Sequence, residues 1–210
     1  NELAEYLRDY LKEKTGFNVK TWIQGSYKFG TQIRPARKGE EFDIDLGIYF
    51  EWPGNPEERM QAKTLKHYVR DAVKAFATDA QEVKGVIVPP KERCERVSYE
   101  RDFHIDVPGY HLSSDQDNRT LATETKGWEH SDPKALVVWF REEAGDDNDR
   151  TQLRRIVRYL KMWAALKFKP EDRPSSIMLT VLATNAFRGM SKNVCDDDDV
   201  LGSVIKSILD

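Results

Sequence analysis

From Glu41 to Glu51 apolar side chains take every second position, at Phe42, Ile44, Leu46, Ile48 and Phe50. That period of two predicts a strand with one face in a core, and Pro53, Gly54 and Pro56 end it. The alternate positions carry Asp43 and Asp45. Two carboxylates therefore leave one face of a single strand while Ile44 and Leu46 anchor the other. Taken alone, such a D-x-D is most often a solvated strand face. Here His104-Ile105-Asp106-Val107 repeats the arrangement on a later strand, with Ile105 and Val107 directed inward. If the two strands pair, Asp43, Asp45 and Asp106 converge on one rim. Such a cluster raises its own pKa values unless a cation neutralises it. Magnesium suits it, because the ion prefers carboxylate oxygens and keeps room for phosphates and waters. Two ions, magnesium or alternatively manganese, held about 4 Å apart can activate a hydroxyl nucleophile and stabilise a leaving pyrophosphate.

The strand belongs to an α+β pattern. Leu3, Tyr6, Leu7, Tyr10 and Leu11 recur at helical spacing until Gly16, and Asn18 to Gln24 reads as a strand. Glu57 to Ala80 is helical, Val83 to Val88 is a short strand before Pro89-Pro90, and Arg93 to Val107 is a strand pair or one long bent strand. Ser113 to Lys126 is polar, without periodicity, and reads as loop. After Trp128 the pattern turns helical. Ser131-Asp132-Pro133 opens a helix with a capping side chain and a first-turn proline. Asp149 to Phe168 places Leu153, Ile156, Val157, Leu160 and Trp163 on one face, and Ser175 to Arg188 and Val200 to Leu209 are further helices. The expected domains are residues 1–115, a mixed-sheet core with its N-terminal helix, and residues 128–210, an all-helical lobe, joined near residues 113–130.

The 210 residues suffice for one large domain or two small lobes. With 39% apolar and 33% charged residues the chain is not of the disordered class, and no apolar run has membrane-spanning length, so no membrane partner is expected. A formal charge of -3 argues against coating nucleic acid through bulk electrostatics. No stable nucleic-acid binding is expected, while a compact anion met by a few cations stays open. Cys94 and Cys195 have no metal or redox spacing, which fits a reduced, cytoplasmic setting. The chain opens on Asn1 in a helix-like pattern without a methionine, so it reads as a fragment or the ordered part of a longer chain, its helical lobe truncated.

Upstream of the acidic strand lies Gln24-Gly25-Ser26-Tyr27-Lys28-Phe29-Gly30-Thr31, between a strand and a short helix. Glycine lets backbone approach a ligand, and the Ser26 hydroxyl with free amides at the helix start can donate to phosphate. It lacks the longer glycine-lysine pattern of P-loop enzymes. Gly-Ser at a strand end, D-x-D on the next strand and a lone Asp on a later one resemble, in that order, the DNA polymerase β-like nucleotidyltransferases.

The resemblance narrows further. Trp22-Ile23-Gln24-Gly25-Ser26, Phe42-Asp43-Ile44-Asp45, His104-Ile105-Asp106-Val107-Pro108, Ser131-Asp132-Pro133-Lys134 with Trp139-Phe140, Arg158-Tyr159-Leu160-Lys161-Met162-Trp163 and Pro174-Ser175-Ser176-Ile177 are similar, in order, to the CD-NTase (cGAS/DncV-like) family, the DncV type of bacterial cyclic GMP-AMP synthase above all. The resemblance implies a polymerase β-like core plus a helical lobe with the active site in the cleft between them. It implies ATP and GTP as substrates, a cyclic di- or oligonucleotide product, and a role in antiphage (CBASS) signalling through a separate effector protein. By motif match Asp43, Asp45 and Asp106 would bind metal, Gln24, Gly25 and Ser26 would hold donor phosphates, and Ser131, Lys161 and Ser176 would bind the triphosphate. The chain departs from the family in a shorter stretch between Pro108 and Trp128 and in its early end. The alternatives are a linear oligonucleotide synthase or single-nucleotide transferase using the same carboxylates, and a non-catalytic nucleotide sensor, which the presence of all three aspartates disfavours.

Other residues stay open at this stage. Arg154, Arg158 and Lys161 are spaced to share a basic helix face opposite the apolar stripe, with Lys161 favoured as a ligand. Ser131 suits helix capping and anion binding alike. His104 could orient the Asp106 carboxylate but reads first as a satisfied histidine at the cleft edge, Arg96 reads as a contact of an acceptor base, and Tyr27 as packing or base stacking. Asp196 to Asp199 reads as a solvated acidic loop without calcium-binding spacing.

Overall fold

The computed structural model describes residues 2–80, 82–86, 89–100, 103–114, 118–188, 190 and 196–210. The chain divides into two compact units, residues 1–25 with 41–133 and residues 26–40 with 134–210.

The first unit is built on one mixed sheet. Its central strand β2 (Phe42–Trp52) pairs antiparallel with β1 (Asn18–Gln24), which sets Gln24 opposite Asp45. Along β2 run β5 (Phe103–Val107) and then β6 (Gly109–Ser113), both parallel to it, with Asp43 opposite His104, Asp45 opposite Asp106 and Tyr49 opposite Tyr110. Pro108 separates β5 from β6 without breaking the line, because its carbonyl still accepts from the Ile48 amide at 3.0 Å. Parallel strands need a crossover, and α3 (Ala62–Asp79), β3 (Val83–Val86) and β4 (Glu95–Tyr99) fill it. β4 and β3 extend the sheet beyond β5, and β7 (Arg119–Ala122) and β8 (Trp128–His130) extend it beyond β6.

Alternation decides which face is buried. Leu46, Ile48, Phe50 and Trp52 pack with Leu3, Leu7 and Leu11 of α1 (Glu2–Thr15) and with Leu65, Val69 and Val73 of α3 in one core. Truncating Leu7 or Ile48 there to alanine should cost about 2–5 kcal/mol. The helix sits close: a Cβ added at Gly109 would lie 2.5 Å from Leu65 Cδ2. The other face carries Asp43, Asp45 and Tyr49.

The second unit is helical: most of α2 (Gly25–Phe29), then α4 (Pro133–Ala144), α5 (Asp147–Lys167), α6 (Ser176–Arg188) and α7 (Asp197–Leu209). Asp146 caps α5 by accepting from the Asn148 and Asp149 amides, and Phe29 packs edge-on against Phe140, ring centres 5.1 Å apart.

Four expectations need correction. The stretch read as loop contains the end of β6 and all of β7, since a four-residue strand whose two apolar residues, Leu121 and Ala122, are adjacent leaves no alternation to read. On α5 the apolar stripe ends differently: Trp163 is 50% exposed while Lys161 is 5% exposed. The acidic run is not a loop, for Asp197, Asp198 and Asp199 form the first turn of α7, where carboxylates suit the helix dipole. Finally, the helix expected from Glu57 divides into a short 3-10 turn, Pro56–Glu58, and α3. Ile87, Val88 and Cys195 lie outside the described residues.

Candidate active site

The register settles which carboxylates meet. With Asp43 opposite His104 and Asp45 opposite Asp106, the three aspartates and His104 leave the same face of two paired strands. One ligand atom each from Asp43, His104 and Asp106 lie within 4.8 Å of one another. His104, read first as a satisfied histidine, is part of the cluster: Nδ1 lies 2.9 Å from Glu41 Oε2 and Nε2 lies 3.0 Å from Asp43 Oδ1. Burial alone would lower the pKa of His104, but Asp43 and Glu41 outweigh it and hold it above the usual value.

The carboxylates differ in charge state. Asp45 is pushed up to about 7 by burial first, then by Asp43 and Asp106. Burial would also raise Asp106, yet it is held below the ordinary range by Arg96 and Lys91. Arg96 grips it with Nε at 2.5 Å from Oδ1 and a terminal nitrogen at 2.7 Å from Oδ2, and Lys91 Nζ lies 2.9 Å from Oδ2. Cys94 also hydrogen-bonds Asp106, and its thiol is pushed up to about 12, chiefly by burial. A concentration of negative charge this large, with one carboxyl driven toward protonation, fits a hard divalent cation.

Gly25 follows Gln24 at the end of β1 and is required by Asp45. Its φ is +64°, and a Cβ there would stand 1.8 Å from Asp45 Oδ2. Gln24 turns into a buried polar network: its Nε2 donates to Tyr110 Oη at 3.0 Å, and its Oε1 accepts from Tyr49 Oη at 2.9 Å. The two phenol rings stack with centres 4.8 Å apart. Gly47 makes room, since a Cβ there would meet Gln24 Oε1 at 2.6 Å. Burial pushes Tyr110 up to about 12, and the Ser131 side chain hydrogen-bonds it. These two bonds anchor Gln24 at the strand end that carries Gly25. Arg119, paired with Asp132 at 2.7 Å, braces the turn next to Ser131.

Within the second unit, Lys161 Nζ donates to Thr31 Oγ1 at 3.1 Å and lies 3.3 Å from the Thr31 carbonyl. Burial lowers its pKa to about 8. The Thr31 amide donates to the Ser26 carbonyl at 3.0 Å, closing the turn that begins at Ser26. Arg154 donates to the Phe29 carbonyl at 2.9 Å and lies against Gly30. Ser175 caps α6 by accepting from the Met178 amide, and Ser176 is exposed at the first helical position. Tyr27 is 56% exposed, so it is not a packing residue. Sequence reasoning missed Lys91, Glu41 and the paired phenols, which carry no motif.

Two paired strands presenting three carboxylates, beside a Gly-Ser turn at the end of a third, define a nucleotidyltransferase core of mixed sheet and helices. Residues 19–110 match the family described as cyclic GMP-AMP synthase DncV-like, nucleotidyltransferase domain. The chain is 33% identical to the cyclic GMP-AMP synthase of Escherichia albertii, over 94% of this chain and 43% of that protein. It is 28% identical to the c-di-GMP synthase of Roseivirga ehrenbergii, over 90% of this chain and 54% of that one. Among solved structures, Vibrio cholerae DncV cyclic AMP-GMP synthase in complex with the linear intermediate 5' pppA(3',5')pG superposes with a TM-score of 0.75 at 28% identity, covering 92% of this chain and 51% of that one. By sequence and by structure the chain belongs with the DncV-type CD-NTases. It spans about half the length of the curated relatives it matches. Among the described residues no helix is long and apolar enough to cross a membrane.

Proposed function

We propose that this chain carries the catalytic core of a metal-dependent enzyme that joins nucleoside triphosphates into a cyclic di- or oligonucleotide, of cyclic GMP-AMP type, as an antiphage (CBASS) second messenger. The observation that carries the reading is the convergence of Asp43, Asp45 and Asp106 on one sheet face beside Gly25. Relatives named for cyclic GMP-AMP and c-di-GMP synthesis support a cyclic dinucleotide and leave the bases open. ATP with GTP is the pair we favour, in the cytoplasm, with an effector protein as the receiver of the product.

Asp43, Asp45 and Asp106 would hold two magnesium ions, with manganese a substitute. When bound, the metal supplies charge neutralisation of the triphosphate and acidifies the acceptor ribose hydroxyl. The chain's own groups do the positioning that dominates phosphoryl transfer. Gly25, whose missing side chain opens the backbone, and the Ser26 hydroxyl receive the donor phosphates. Ser131, Lys161 and Ser176 bind the triphosphate, with the buried Lys161 ammonium gaining most from an anionic partner. Asp106, held ionised by Arg96 and Lys91, accepts the hydrogen bond of the attacking hydroxyl and orients it. A first transfer releases pyrophosphate and leaves a linear dinucleotide that keeps its own 5′ triphosphate, and attack of its free ribose hydroxyl on that triphosphate closes the ring and releases a second pyrophosphate. Incubation with magnesium and mixtures of the four triphosphates, followed by mass spectrometry, tests this. A linear product that keeps its 5′ triphosphate and yields to phosphatase would point instead to oligonucleotide synthesis, and triphosphate binding without turnover to a sensor.

A further inference from the structure

Lys66 is 2% exposed, in the second turn of α3 on the face of the sheet opposite the carboxylates, and the proposed mechanism does not use it. Its Nζ reaches the carbonyls of Lys91 at 2.6 Å, Glu92 at 3.2 Å and Cys94 at 3.4 Å, and Glu95 Oε1 at 3.4 Å. Arg70 holds the same Glu95 with two nitrogens and reaches Glu124 at 2.6 Å. An ammonium has three protons to give, and here they are aimed at the backbone of one short segment. A buried ion pair is poor value as a stabiliser, since apolar residues of similar size serve as well or better.

The clamped segment is the one that serves Asp106. Lys91 opens it with an ammonium 2.9 Å from Asp106 Oδ2, Cys94 adds its thiol, and Arg96 follows with a two-pronged grip. We infer that Lys66 is a positioning residue: by fixing the Lys91–Cys94 backbone it stations the Lys91 ammonium on Asp106, where Lys91 acts as a resident counter-ion that the divalent cation must displace. The inference rests on the proposed metal role of the aspartates. Lys91 thereby sets how tightly the site takes metal. It holds Asp106 in place, and it weakens metal binding by competing for the same oxygen.

The test is Mn2+ binding to the whole, nucleotide-free protein, followed by electron paramagnetic resonance, with Asp43→Asn locating the signal at the site. Lys91→Gln should tighten Mn2+ binding roughly tenfold, the effect of removing one positive charge a few ångströms from a dication near the surface. Lys66→Met should tighten it in the same direction but less, and the double variant should match Lys91→Gln alone, because both act through one ammonium. Should Lys66→Met not fold, Lys66→Gln, which keeps a donor for one carbonyl, takes its place. Unchanged Mn2+ affinity in Lys91→Gln, or a Lys66 variant that melts earlier while binding Mn2+ as before, overturns this inference alone. No Mn2+ binding by the unsubstituted protein overturns it together with the proposed metal site.

Discussion

Asp45→Asn should make the metal-free protein more stable while abolishing its function. In the folded chain the Asp45 carboxyl ionises at about 7 rather than 3.8, because it is buried and faces Asp43 and Asp106. The folded state therefore binds this proton more tightly than the unfolded state, so stability is lost as pH rises between these two values and stays low above the higher one. At about 1.4 kcal/mol per pH unit the ionised form costs roughly 4 kcal/mol. Solvent at the rim and salt reduce that, and we expect asparagine to recover about 2–4 kcal/mol near pH 8. For a chain of this size that is a rise in melting temperature of about 4–16 °C. Thermal and urea melts in EDTA, near pH 5 and near pH 8, measure it. The gain should be large at the higher pH and shrink at the lower, and added Mg2+ should raise only the aspartate form. A variant that melts earlier near pH 8, or a difference that ignores pH, would refute the argument that this site stores electrostatic repulsion.

Gly25→Ala puts a methyl group where Asp45 Oδ2 lies and adds a left-handed φ, so it should lose about 2 kcal/mol or more by melting and lose activity. Combining it with Asp45→Gly should restore part of the stability and none of the activity. Tyr49→Phe leaves the buried Gln24 Oε1 without its donor and should cost about 1–2 kcal/mol in urea unfolding. Lys161 has its pKa lowered from 10.5 to about 8 by burial, so the folded state pays for its charge at neutral pH and regains stability as pH rises between those values. Lys161→Met should therefore melt about 1–2 kcal/mol higher near pH 7, after allowing for the lost bonds to Thr31, with the advantage gone near pH 10. Asp106→Asn strips Arg96 and Lys91 of their shared partner and should be destabilised by a few kcal/mol, in contrast to Asp45→Asn.

Much of this site was legible because strands write their faces into sequence. The alternation around Asp43 and Asp45, repeated at His104 and Asp106, fixed which side chains point together. Only pairing in register, Asp45 against Asp106, was left to the fold. What stayed hidden depends on long-range partners. Lys66 looks like a solvated helix position until the Lys91–Cys94 backbone is brought against it, and Lys91 sits in an irregular segment with no period at all. Tyr49 and Tyr110 are polar-tipped aromatics whose use depends on Gln24 arriving between them. On α5 the rule that apolar residues face inward misplaced Trp163 and Lys161, because a lysine with a bonded head can bury its stem while a tryptophan stays out.

The central claim is that the paired aspartates drive nucleotide joining. The most direct measurement is product analysis by mass spectrometry after incubating the protein, and its Asp43→Asn variant, with Mg2+ and all four nucleoside triphosphates. The account predicts a phosphatase-resistant cyclic product from the unsubstituted chain and none from the variant, whose circular dichroism should be unchanged. Unconsumed triphosphates with the unsubstituted chain, or equal product from both, would contradict it.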